Sequence, residues 1–203
     1  MLSELQPQAI IFSDGGPGCR WVGNEKGFAG ATNWSFLRTG EVFPGYEKYR
    51  TLQYGHADGD QWVAAECDVS IRPGWFYHPE EDNQVKNVDQ LTDLYYRSVG
   101  HNATLLLNFP VDRNGLIHPI DSANAVNFHQ NVQKQLAHNL LAGLSPKASD
   151  ERGRTFSAKA VTDGDYDTYW ATNDDVTSAT IEFDLPQAEK INRMMLQEYI
   201  PLG

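Results

Sequence analysis

Residues 103–109 read ATLLLNF, an almost unbroken apolar run closed by Pro110. Alternation would mark a strand with one wet face; a continuous run is the pattern of a strand buried on both faces, as in a parallel sheet covered by helices. The flanks agree. Asn87 stands where a helix cap belongs, Gln90 follows three residues on, and Val88, Leu91, Leu94 and Tyr95 recur at helical spacing until Gly100. A second helix is predicted from about Ser122, with Val126, Val132, Leu136 and Leu140 on one face and Gly143 past its end. Upstream, WVAAECDVSI (residues 62–71) and AIIFS (residues 9–13) read as strands running into Gly/Pro turns. Strand, helix, buried strand, helix is the alternation of an α/β fold with a parallel sheet. In a barrel of this class the chemistry sits in loops at the strands' C-terminal ends. Two segments fall there: the long aperiodic stretch from residue 14 to about 61, and RPGWFYH, residues 72–78.

A net charge of −11 over 203 residues argues against a nucleic-acid partner, whose phosphates call for clustered Lys and Arg. No apolar stretch approaches membrane-spanning length. The opening MLSELQPQAIIFS lacks the basic flank, apolar core and cleavage site of a signal peptide, and reads as a helix end entering a strand, so the chain is expected to begin inside a fold. Cys19 and Cys67 have no metal-ligand spacing and read as two separate thiols, although two loops at one end of a barrel could bring them together.

Near residue 144 the character changes. SPKASDERGR, residues 145–154, is polar and reads as a linker or domain edge. Beyond it the period becomes two: ATIEFDL, residues 179–185, alternates Ala179, Ile181, Phe183 and Leu185 with polar residues. A second strand is predicted around residues 191–199. The domain boundaries are placed at 1–143 and 144–203.

Glu25, in FSDGGPGCRWVGNEKG (residues 12–27), is the first chemical candidate. Glycoside cleavage needs two carboxylates, one holding a proton for the leaving oxygen, and a neighbour such as Trp21 favours the protonated form by desolvation. A solvated loop glutamate is the commoner case. Glu66 lies in a strand beside Asp68, which would share its face; Arg72 or a sugar hydroxyl could be its partner, and a structural ion pair is an equal alternative. Trp75, Phe76 and His78 crowd one turn and suit either a sugar pocket or a plug at the barrel rim. His56, His101, His118, His129 and His138 show no metal spacing. Asp163, Asp165 and Thr168, in TDGDYDT, form an oxygen-rich loop that suits a structural calcium ion or is simply an acidic turn.

Three segments in order, LQPQAIIFSDGGPGCRWVGNEKG, WVAAECDVSIRPGWFYH and DLYYRSVGHNATLLLNFPVDRNGLIHP, resemble glycoside hydrolase family 29, the α-L-fucosidases. FSAKAVTDGDYDTYWAT followed by IEFDL looks like the opening of a discoidin-like (coagulation-factor type C) carbohydrate-binding domain. The resemblance implies the C-terminal part of a (β/α)8-type barrel, then a truncated all-β discoidin-like jelly-roll. It implies a retaining double displacement with no catalytic cofactor, acting on a fucosylated oligosaccharide or glycoconjugate, with no nucleic acid and no membrane insertion. Glu25 matches the general acid/base, with Glu66 as the fallback. Trp21, Asn24, Glu66, Arg72, Trp75, Phe76 and His78 are the implied substrate contacts, Trp75 and Phe76 as the floor under a 6-deoxy sugar. The family's W-x-D-G nucleophile motif does not occur, which places the aspartate nucleophile upstream and makes the chain alone inactive. The stretch 28–61 suits the branch acting on α-1,3/4-linked fucose, and a secreted or periplasmic bacterial setting is implied. The alternative is a non-catalytic carbohydrate-binding or interaction protein on a degenerate barrel.

Overall fold

The structure, a computed structural model, describes residues 2–199. It divides into two compact units, Met1–Gln135 and Leu136–Gly203. The division falls within the last turn of a helix, upstream of the polar stretch predicted as the edge.

In the first unit a short helix α1 (Leu2–Leu5) precedes β1 (Phe12–Ser13) and β2 (Cys19–Trp21). The long segment that follows contributes β3 (Phe36–Leu37) and β4 (Gln61–Trp62), an antiparallel pair, with a 3-10 turn at Tyr49–Gln53. Then come β5 (Ala64–Ser70), α2 (Val88–Ser98), β6 (Ala103–Asn108) and α3 (Pro119–Leu136). Strands β1, β2, β5 and β6 form one sheet in that order, and every neighbouring pair is parallel. The predicted α/β alternation is therefore present as an open four-stranded sheet.

Strand β5 organises the unit because its two faces differ. Ala65 and Cys67 pack with Val22 and Ala29, and Val69 and Ile71 pack with Leu91 and Leu94 of α2. The alternate residues Glu66, Asp68, Ser70 and Arg72 face the other way. Burying those four core side chains contributes roughly 1–3 kcal/mol each and fixes the register, since a one-residue slip would drive carboxylates into the apolar layer.

Strand β6 departs from expectation. Its residues alternate rather than being buried on both faces: Leu105 and Leu107 join the α2 cluster, whereas Thr104 is exposed and Leu106 is 44% exposed. The reason is that α2 packs on the face of Leu105 and Leu107, whereas Thr104 and Leu106, in register with Glu66 and Asp68, lie on the opposite face of the sheet.

Helix α2 begins as predicted. Asn87 accepts from the Gln90 backbone N–H at 3.0 Å, and the Gln90 side chain accepts from the Asn87 N–H at 3.0 Å. It ends before Gly100; a 3-10 turn, Val99–His101, follows, and Asn102 takes the left-handed conformation at φ 57°. Asparagine tolerates that region better than most residues. Here its amide also holds Asn33 O and Ser35 Oγ, each at 3.1 Å. Helix α3 starts earlier than predicted, at Pro119, and its Val126 and Leu136 are exposed; the buried residues are Asp121 and Val132.

The long segment is better ordered than its aperiodic sequence suggests. Leu37, Val42, Leu52 and Val63 make a small core of their own. Arg20 of β2 ties it down: the fully buried guanidinium donates to Leu52 O (2.9 Å), Val63 O (2.7 Å), Trp34 O (2.8 Å) and Asn33 Oδ1 (2.5 Å). Burial lowers the Arg20 guanidinium to about 10.

In the second unit, β7 (Lys147–Ala148) pairs antiparallel with β8 (Ile181–Glu182). Ile181, Phe183 and Leu185 are half-buried and Glu182 and Asp184 exposed, so the predicted alternation is present, although Ala179 is exposed and the ladder is only two residues long. Among the described residues 191–199 no strand forms. Residues 145–154 are not a free linker: Trp170 donates to Asp150 O at 3.0 Å, Asp150 Oδ1 accepts from Asn173 N at 2.8 Å, and Arg152 pairs with Asp174. Among the described residues no helix is long and apolar enough to cross a membrane.

Replacing Asn87 with alanine removes the side-chain acceptor for the Gln90 N–H and leaves the backbone N–H that the Gln90 side chain accepts from. The expected loss is about 1 kcal/mol, read as a lower denaturant midpoint with an unchanged slope.

Candidate active site

Because the sheet is parallel, β2, β5 and β6 end on the same side, and the loops leaving them carry the candidate side chains. Trp21 ends β2 opposite Glu66 in the register. Its indole N–H donates to Asp68 Oδ1 at 2.8 Å, and its ring lies parallel to Tyr49, with centroids 6.0 Å apart.

Glu66 is 9% exposed. Cys19 Sγ stands 3.8 Å from its Oε2, a weak contact, and its Oε1 has no hydrogen-bond partner among the described residues. Burial, and then the charge of Asp68, raise the Glu66 carboxyl above its ordinary value, with Cys19 opposing. Burial also raises the Asp68 carboxyl; the Trp21 bond opposes this and the charge of Glu25 adds to it. Asp68, which the sequence places only on the Glu66 face, is thus a third carboxylate of the cluster.

Glu25 is exposed on the loop after β2. That loop is shaped by its neighbours. Gly23 has φ +75°, and a Cβ there would come within 2.1 Å of Tyr49 O, so a side chain does not fit. Asn24 serves the loop itself: its Nδ2 donates to Phe28 O at 3.1 Å, and its Oδ1 accepts from Lys26 N at 3.0 Å. Trp75, half-buried in the loop after β5, donates its indole N–H to Glu25 Oε2 at 2.9 Å. Asn108, the last residue of β6, holds this tryptophan by donating to Trp75 O at 3.1 Å, and donates also to Ser70 Oγ at 3.1 Å.

The structure thus gathers Trp21, Glu25, Glu66 and Trp75, with Asp68 added. Phe76 is 78% exposed, so it plugs no core, and His78 is exposed. Arg72 is different from expectation. It is fully buried, and Asp121 takes its Nε and Nη2 in two bonds of 2.8 Å. Its Nη1 lies 2.9 Å from Asp82 Oδ1 and 3.3 Å from His78 O. All its nitrogens face protein groups, so it is neither the Glu66 partner nor a ligand contact; it binds the first turn of α3 to the end of β5.

Cys19 and Cys67 are both free. Cys67 lies in the core on the opposite face from Glu66, where burial pushes its thiol up to about 12. In the second unit the oxygens proposed for calcium are engaged locally: Asp163 Oδ1 accepts from Asp165 N at 2.9 Å and Oδ2 from Thr168 Oγ1 at 2.7 Å. Among the described residues no three His, Cys, Asp or Glu side chains group as a metal site. The segment has the geometry of an acidic turn.

No family model matches the chain. It is similar to α-L-fucosidase 1 of Arabidopsis thaliana, 38% identical over 211 residues that take in 100% of this chain and 40% of that protein. A Bacteroides thetaiotaomicron structure assigned to the α-L-fucosidases superposes with a TM-score of 0.83 at 42% identity, covering 92% of this chain and 41% of that one. A Ruminococcus gnavus family 29 fucosidase, solved with fucose, gives a TM-score of 0.75 at 34% identity over 86% of this chain and 36% of that one.

A carboxyl raised in the folded state holds a proton that the unfolded chain has already lost, so stability falls as pH rises from the ordinary carboxylate value of about 4. Glu66→Gln removes that penalty. Its denaturant midpoint is expected to exceed the parent's at pH 7, with the difference vanishing below about pH 4.

The chain spans about 40% of the length of the relatives it matches; those relatives and its structural neighbours are α-L-fucosidases, and its mixed α/β fold resembles part of a glycoside hydrolase family 29 enzyme.

Proposed function

We propose that this chain supplies the acid/base side of a retaining α-L-fucosidase site, with Glu25 as the general acid/base. The observation that carries the reading is Glu25 held by the Trp75 indole at 2.9 Å on the side of the sheet that also bears Asp68 and Glu66. In a double displacement, one carboxyl gives its proton to the leaving oxygen while a second attacks the anomeric carbon; the first then takes a proton from water. The carboxylate nucleophile belongs to the barrel portion of the relatives that this chain does not span. The substrate is a fucosylated glycan, with α-1,3/4 linkages as the reading for the long segment from 28 to 61, whose Tyr49 lies against Trp21 beside the site. The exposed Phe76 offers apolar surface to the methyl group of a 6-deoxy sugar. For residues 144–203 the reading is a sugar-binding β-sandwich opening, supported by the inward Ile181, Phe183 and Leu185.

The test is a chimera in which this chain replaces the segment it matches in the Arabidopsis thaliana relative. The chimera is expected to cleave an aryl α-L-fucoside, and the 203-residue chain alone is expected not to. Glu25→Ala should lower kcat/KM by at least about 100-fold, with partial recovery in azide. An unchanged rate would remove Glu25 from the role and transfer it to Glu66.

A further inference from the structure

Glu25 is an exposed residue on a loop, a poor place from which to deliver a proton along one direction. Its Oε2 nevertheless accepts the Trp75 indole N–H at 2.9 Å, and among the described residues nothing hydrogen-bonds to Oε1. An indole nitrogen donates only, so Oε2 cannot give a proton back to it. Trp75 in turn is anchored through its carbonyl to Asn108, which ends β6 and also reaches Ser70 at the end of β5. The sheet therefore fixes one oxygen of a loop carboxyl through two hydrogen bonds in series.

Resting on the acid/base reading above, we infer that Trp75 is a positioning residue: its indole N–H engages Glu25 Oε2 and leaves Oε1 as the atom that carries the transferred proton. In the first half-reaction the Oε1 proton passes to the glycosidic oxygen, whose bond to the anomeric carbon breaks with the electron pair going to that oxygen. The sugar goes to the carboxylate nucleophile, and Glu25 is left ionised. In the second half-reaction Oε1 takes the proton of the attacking water, whose oxygen bonds to the anomeric carbon as the bond to the carboxylate nucleophile breaks with its electron pair going to that carboxylate. The Trp75 bond is retained throughout and becomes charge-assisted when Glu25 is ionised, which shortens and strengthens it. This role belongs to the ring nitrogen, whereas a floor beneath the sugar would belong to the ring face.

Two measurements test the inference. In the 203-residue chain, the Trp75 indole ¹H–¹⁵N resonance is expected to shift with pH and to lose that dependence in Glu25→Ala. A resonance indifferent to Glu25 would overturn the inference whether or not the chain has any part in catalysis. In the chimera, Trp75→Phe keeps an aromatic face and removes the donor. Its kcat is expected to fall about 10-fold or more on a fucosyl disaccharide, whose leaving group needs protonation, at unchanged KM. On 2,4-dinitrophenyl fucoside, whose leaving group does not, the rate should stay within about twofold. Asn108→Ala, which slackens the anchor and leaves the ring intact, should give the same leaving-group dependence in smaller measure. A rise in KM on both substrates, or equal losses on both in the two variants, would assign Trp75 to the sugar floor and overturn the inference. If the disaccharide and dinitrophenyl rates respond alike even in Glu25→Ala, the acid/base reading fails instead.

Discussion

The first unit depends on the two unlike faces of β5. One face carries Ala65, Cys67, Val69 and Ile71 into the apolar layer; the other presents Glu66, Asp68, Ser70 and Arg72. Hydrophobic burial on one side fixes the register to the residue, and the polar side chains inherit that precision at no added cost in conformational freedom. The carboxylates are therefore held by the core itself, and their raised protonation values follow from the same burial.

The two ends of β5 are secured differently. At its C-terminal end, the buried Arg72–Asp121 fork joins the strand to α3, and breaking such a pair leaves an uncompensated charge, typically at a cost of about 3–5 kcal/mol. Toward its start, Arg20 on the neighbouring strand gathers four oxygen acceptors from the long segment between β2 and β5. One cation packs a helix and the other packs a loop. Between them lie two tryptophans that each donate an indole N–H to a carboxylate, Trp21 to Asp68 and Trp75 to Glu25.

What the sequence made legible was local. The Asn87–Gln90 capping box, the strand at 64–70 and the placing of Glu25 and Trp75 in loops after strands all rest on neighbours a few residues apart. What it hid was long-range. Trp75 and Glu25 are separated by 50 residues and Arg72 and Asp121 by 49, and no spacing rule reaches that far. The sequence offers Arg72 as a partner for Glu66, yet Asp121, 49 residues on in α3, takes it. The buried reading of residues 103–109 failed on one face for a related reason: an apolar run does not report what packs above it, and α2 covers Leu105 and Leu107 but not the face of Thr104 and Leu106. Ala179–Leu185 shows the converse, an alternation that survives although only two residues join a ladder.

Gly23 gives the long segment a further property. Its missing side chain lets the carbonyl of Tyr49 sit against the turn that bears Glu25, while the same segment closes its own small core around Leu37, Val42, Leu52 and Val63. The stretch from β3 to β4 is open on its outer surface, where a side chain added at Gly40 would meet no neighbour, and is bound on its inner side to Arg20 and Trp21 of β2. Room for change in the segment is thus confined to that outer surface, because its inner carbonyls at Trp34, Tyr49 and Leu52 are claimed by Arg20 and by the turn at Gly23.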